Sequence, residues 1–175
     1  MAVEMMNEPE AMAPECYNGG RTPVSWQRLG AFIRTTADAI RETRPKTVVT
    51  AGTLHVFLPQ LWRADPRLDA VDIHVYHQTA GLPSRAELAA YVGDDRLSDP
   101  SLPLIAGECG MPDDAPVEEH MHLRNYLYNA ERLRYDAAFV WRLETVLIDT
   151  RDPRRPHTEA GRLVHGELAA RWSWP

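Results

Sequence analysis

The chain has 175 residues, of which 44% are hydrophobic and 25% are charged, and its formal net charge is −6. This apolar share excludes a disordered chain, and an acidic chain with no basic run is a poor candidate for binding nucleic acid. The sequence contains no stretch of about 18 apolar residues, which is the length needed to span a membrane. Two cysteines are too few for a disulfide framework or a structural zinc site. The length predicts a single domain over residues 1–175.

Five short, mostly apolar segments predict β-strands. They cover residues 2–6, 46–51, 71–77, 104–106 and 137–143. Helical patterns separate them, at residues 25–44, near 57–62, at 84–92 and from 116 onwards, and a last helix is predicted at 158–171. Short strands that alternate with helices predict an α/β fold with parallel pairing and crossover helices.

The third predicted strand has two chemically different faces. Side chains alternate along a strand, so apolar Val71, Ile73 and Val75 face one way, and Asp72, His74 and Tyr76 face the other. The helices need an apolar face to pack on. The second set of side chains is therefore free to form a polar site.

Polar and aromatic residues collect where the predicted strands end. The first strand is followed by Asn7 and Glu8, the third ends in His74 and Tyr76, the fourth ends in Glu108, and the fifth ends near Trp141. In parallel α/β proteins the carboxyl ends of the strands carry the functional residues. Two carboxylates can divide acid and nucleophile chemistry between them, and aromatic rings stack on sugars. The pattern predicts a carbohydrate hydrolase site.

The same segments resemble the retaining glycoside hydrolases of clan A, and within it family 5, the cellulase and mannanase type, or a neighbouring β-glycosidase family. Residues 6–9 (Met-Asn-Glu-Pro) are similar to the end of barrel strand four, 69–76 to strand six and 103–110 to strand seven, while Trp141 matches a sugar-stacking tryptophan of strand eight. The resemblance extends over the whole chain. It implies hydrolysis of a β-linked glycoside or polysaccharide on a (β/α)₈ (TIM) barrel.

The resemblance also implies a role for each matched residue. Glu8 would be the general acid/base and Glu108 the nucleophile that forms a glycosyl-enzyme intermediate. The implied substrate-binding residues are Asn7, His74, Tyr76 and Trp141. Asn7 would bind the sugar hydroxyl next to the anomeric carbon, and Trp141 would lie under the central sugar. His74 would contact the substrate or Tyr76, and Tyr76 would hydrogen-bond to Glu108. No cofactor is expected, because the two carboxylates supply the acid, base and nucleophile.

A complete barrel of this type needs about 250 residues, yet the motif of strand four lies at residue 7. The resemblance therefore implies a partial barrel, from strand four to strand eight, without the N-terminal strands. Such a chain is expected to have open sheet edges, to self-associate or to need the missing half, and to have little activity alone. The compartment is not predicted, because a signal could precede residue 1.

Other interpretations remain open. The chain could be a catalytically silent remnant that binds carbohydrate, a half-barrel subunit that needs a partner, or an α/β enzyme of another class with two unrelated glutamates. A metal site is not expected from the histidine spacing. His74 and His77 face opposite sides of a strand, and His120 and His122 do not share a helix face.

Overall fold

The computed structural model describes residues 2–15, 22–64, 67–76, 81–110 and 120–141. Five strands alternate with four α-helices. In chain order they are β1 (Ala2–Asn7), α1 (Trp26–Thr43), β2 (Val48–Leu54), α2 (Leu58–Ala64), β3 (Val71–His74), α3 (Arg85–Val92), β4 (Leu104–Gly110), α4 (His120–Arg132) and β5 (Ala137–Trp141). Short 3-10 turns follow β1 at Pro9–Met12, precede α2 at His55–Phe57 and follow α3 at Asp95–Ser98.

The five strands form one parallel sheet in the order β1-β2-β3-β4-β5. Every crossover moves to the next strand in the same direction. Because such crossovers are right-handed, they place their helices on one side of the sheet. The sheet curls into a half-barrel with the helices outside. The predicted α/β class and parallel pairing are confirmed.

The hydrophobic core lies between the outer face of the sheet and the helices. Leu29 and Ile33 of α1, Leu61 of α2 and Leu88 of α3 are buried there. The strands and the residue after β3 contribute alanines and branched aliphatic side chains, namely Ala51, Val71, Ile73, Val75, Leu104 and Ala106. The apolar face predicted for the third strand therefore faces the helices, and its polar face is directed to the inside of the half-barrel.

Two helices begin where the sequence predicts, each at a serine cap. The Ser25 hydroxyl accepts the N–H of Arg28 at the start of α1. Ser84 and Glu87 form a capping box at the start of α3, in which each side chain accepts the backbone N–H of the other residue. A capping side chain satisfies backbone donors that the first helical turn leaves unpaired.

The limits of β2, β3 and β4 differ from the predicted ones, and β2 begins at Val48 rather than at residue 46. β2 continues to Leu54 and β4 to Gly110, whereas β3 ends at His74. The predictions for residues 116–119, for the end of the fifth strand at 142–143 and for a last helix at 158–171 lie outside the described residues. Among the helices of the described segments, none is long and apolar enough to cross a membrane.

Candidate active site

A β-bulge in β4 directs Glu108 to the inside of the half-barrel. Ile73 of β3 pairs with Ala106, and the next residue, His74, pairs with Glu108, so Gly107 is an extra residue in β4. One additional residue reverses which face the following side chains occupy. Without the bulge, Glu108 would share the helix-facing side with Ala106. With it, Glu108 lies beside His74, and Cys109 is buried toward the helices.

Glu8 lies directly after β1 in a left-handed backbone conformation, with φ 48° and ψ 62°. This conformation is uncommon for residues other than glycine and costs about 1–3 kcal/mol. Two backbone hydrogen bonds hold it: the Glu8 N–H donates to Gly52 O at 2.8 Å, and the Glu8 carbonyl accepts the Ala11 N–H at 3.0 Å. Strain of this kind concentrates at functional positions, where it fixes the direction of a side chain.

Glu10 anchors the turn that carries Glu8. Its buried carboxylate accepts the backbone N–H of Leu54 at 2.7 Å and the hydroxyl of Thr53 at 2.8 Å. Burial raises the pKa of Glu10 above its ordinary value, although these hydrogen bonds oppose the shift. The end of β2 therefore holds the segment after β1 and keeps Glu8 over the sheet.

His74 lies between the two candidate catalytic carboxylates. Its Nδ1 is 3.1 Å from Glu8 Oε1 and 3.7 Å from Glu108 Oε2. One donor atom from each of these three residues lies within 4.8 Å of the other two, so the group could also hold a metal ion. The imidazole is fully buried, while the side chains of Glu8 and Glu108 keep 30% and 14% of their exposure. The two carboxylates can therefore contact a substrate directly, whereas the buried His74 would affect a substrate by positioning them.

Tyr76 hydrogen-bonds to Glu108, as the sequence analysis predicts. Its hydroxyl donates to Glu108 Oε2. Burial, followed by this hydrogen bond, raises the pKa of Tyr76 well above its ordinary value. Tyr76 therefore keeps its proton at any physiological pH and remains a hydrogen-bond donor to the Glu108 carboxyl group.

A second layer of acidic groups lies beneath this cluster. Glu4 Oε1 lies 4.0 Å from His74 Nε2 and accepts the Gly52 N–H at 3.2 Å. Asp72 is buried, and its Oδ1 has no hydrogen-bond partner among the described residues. Burial, with Glu4 as the next cause, raises the pKa of Asp72 to about 7, and burial also raises that of Glu4. At neutral pH the Asp72 carboxyl group therefore carries a proton in part of the molecules.

Two glycines make room for this layer. A Cβ on Gly52 would overlap His74 Nε2 and lie 2.6 Å from Glu4 Oε1. A Cβ on Gly107 would overlap Asp72 Oδ1. Below them, a cavity of about 360 Å³ is open along the inner face of the sheet, and its lining includes Phe139, which is 57% exposed.

The structure brings together four of the six predicted site residues: Glu8, His74, Tyr76 and Glu108. His74 contacts Glu8, a partner that the sequence analysis did not name for it. Asn7 ends β1 opposite Gly52 with an exposed side chain. Trp141 ends β5, as predicted, but its side chain lies outside the described residues.

Sequence reasoning missed Glu4 and gave Asp72 no role. Asp72 had a visible signal, because it lies on the polar face of the third strand with His74 and Tyr76. Glu4 had none, since its contacts come from β2 and β3, far away in the chain. The sequence matches no known family profile and no curated protein.

Proposed function

We propose that this chain is the strand-four to strand-eight part of a (β/α)₈ glycoside hydrolase barrel of clan A, with a retaining site for β-linked glycosides. The observation that carries the proposal is the approach of the carboxylates of Glu8 and Glu108 at the carboxyl ends of β1 and β4. One oxygen of each lies within 4.8 Å of the other. Retaining enzymes hold their two carboxyl groups about 5–5.5 Å apart, whereas inverting enzymes hold them about 6.5–9.5 Å apart.

In this mechanism Glu108 is the nucleophile. Its carboxylate attacks the anomeric carbon and forms a glycosyl-enzyme ester while the bond to the leaving group breaks. The Tyr76 hydroxyl donates a hydrogen bond to Glu108 in the resting site and holds its carboxyl group in place. The bulge at Gly107 is essential to this role, because it alone directs the carboxylate to the inner face of the sheet.

Glu8 is the general acid and then the general base. It gives its proton to the departing oxygen, and in the second step it takes a proton from the water that hydrolyses the ester. The left-handed backbone at Glu8 and the contact with His74 Nδ1 at 3.1 Å fix the position of its carboxyl group. Asn7 and Trp141 are the proposed contacts for the sugar, at the ends of β1 and β5.

The test uses two aryl β-glycosides, one with an activated leaving group and one with a poor leaving group. In a complete barrel we expect Glu108→Gln to abolish turnover of both, because every substrate needs the nucleophile. Glu8→Gln should still form the glycosyl-enzyme ester from the activated substrate, because its leaving group departs without protonation. Glu42→Gln is the matched control, since Glu42 is an exposed glutamate on α1. Equal losses in the two site variants on the activated substrate would refute these roles.

A carbohydrate-binding half-barrel without turnover is the second candidate, and the exposed inner face of the sheet favours it. Phe139 projects there beside the cavity and is 57% exposed, a surface that a second half-barrel could cover. Oligosaccharide binding by the chain, its mass in solution and turnover in a complete barrel distinguish the two. Sugar binding with no turnover would support this candidate. Turnover by a stable monomer would exclude it.

A further inference from the structure

The two glutamates and the histidine at the site have the composition of a metal site. Glu8 and Glu108 offer carboxylate oxygens, and His74 offers Nδ1. His74 Nδ1 lies 3.1 Å from Glu8 Oε1 and 3.7 Å from Glu108 Oε2. Such separations suit three donor atoms that bind one shared ion, each at about 2.0–2.2 Å from it. A mixed oxygen and nitrogen donor set suits divalent transition metals better than Mg²⁺ or Ca²⁺.

Two residues lie behind these donors. A histidine ligand usually turns its other ring nitrogen toward a carboxylate, and a ligating carboxylate is itself hydrogen-bonded. Here the buried His74 Nε2 has no hydrogen-bond partner among the described residues, and the Glu4 Oε1 atom lies 4.0 Å from it, across the gap that Gly52 leaves. The Tyr76 hydroxyl donates to Glu108.

The charge around the imidazole also favours a cation. Four carboxyl groups, those of Glu4, Glu8, Asp72 and Glu108, lie around His74. Within the described part of the chain, the ion pairs that the three glutamates make are all with His74, and no arginine contributes. One divalent ion would neutralise two of these charges at the point where they converge.

We propose that Glu8, His74 and Glu108 bind one divalent transition metal ion, best matched by Zn²⁺, and that the bound ion excludes the glycoside from the site. The binding stands on the geometry of the three donors alone. The exclusion rests on the proposed function, since the ion would occupy both the acid and the nucleophile.

Zinc binding is tested first, with the whole chain and Zn²⁺ alone in a calorimetric titration. We expect one site in the wild type. Glu8→Gln and Glu108→Gln should lower its affinity by at least about tenfold, and Glu4→Gln by about 10–100-fold, as for other outer-shell partners. The chain has seven histidines, so zinc could also bind at a histidine outside the site. His55→Asn is the control for this, and it should leave the affinity of the site unchanged. Wild-type affinity in both Glu8→Gln and Glu108→Gln would overturn the proposal. Circular dichroism verifies that each variant is folded.

Exclusion is tested by hydrolysis of the activated aryl β-glycoside with increasing Zn²⁺. We expect KM to rise at unchanged kcat, and Glu4→Gln to need about 10–100-fold more Zn²⁺ for the same effect. Zinc that binds at the site without changing turnover, or that increases it, would overturn the exclusion. If the chain alone has no turnover, as expected of a partial barrel, oligosaccharide binding replaces hydrolysis as the readout, and binding that zinc does not weaken would overturn the exclusion. The titration decides on the metal site in either case.

Discussion

Gly107→Ala tests whether the bulge in β4 requires a residue without a side chain at position 107. The new Cβ would overlap Asp72 Oδ1 and would lie 2.9 Å from Asp72 Cγ and 3.2 Å from His74 Cδ2. The backbone at Gly107 is not in the left-handed region, so the cost is one of space alone. Asp72 is 4% exposed, and its carboxylate relieves the overlap by moving toward the cavity that it lines. We expect a loss of about 1–3 kcal/mol, typical of overpacking in a closely packed region.

The assay is urea and thermal unfolding followed by circular dichroism. A chain of this length should lose about 2–4 °C in Tm for each kcal/mol. Gly81→Ala is the matched control, because nothing lies within 4 Å of its added Cβ, and it should be neutral or gain about 0.4–1 kcal/mol. Asp72→Ala removes the overlapping atoms. The double variant should therefore be more stable than the sum of the two single effects, by about 0.5–3 kcal/mol. Equal stability of Gly107→Ala and Gly81→Ala would refute the reasoning.

Two further predictions concern parts of the molecule outside the site. Ser84→Ala should cost about 0.5–2 kcal/mol in urea unfolding, since Glu87 loses its partner in the capping box; a change below a few tenths would contradict this. Burial lowers the pKa of His55 below 6.5, so the unfolded chain binds its proton more readily and stability is lost as the pH falls through this range. The wild type should lose more stability than His55→Gln between pH 7.5 and 5, and parallel profiles would refute the assignment.

The fold could be predicted from the sequence where a periodic pattern continues without interruption. Val71, Ile73 and Val75 alternate strictly with polar residues, and their burial follows that alternation. Ser25 and Ser84 marked helix starts, because a cap acts within one helical turn of its own residue. Signals of this kind are local, so they survive without knowledge of the tertiary structure.

The site could be predicted less well, because its geometry depends on contacts between strands. A simple alternation through β4 places Glu108 on the same face as Leu104 and Ala106, and only the bulge at Gly107 reverses this. The sequence singled out Glu108 by its place after the predicted fourth strand, and that place gives no side-chain direction. Glu4 has no such motif, and its partners, Gly52 and His74, lie on two other strands.

The arrangement of residues on the inner face of the sheet lowers the stability of the protein, so stability alone does not explain it. Glu8 holds a strained backbone, Asp72 is buried with an unpartnered oxygen, and the two glycines between them give up side-chain packing. Each feature lowers the free energy of unfolding, and apolar residues of similar size would raise it. Together they serve one result, which is to bring two carboxylates and an imidazole to the same point. Departures from good packing that all serve a single cluster support a chemical role for that cluster.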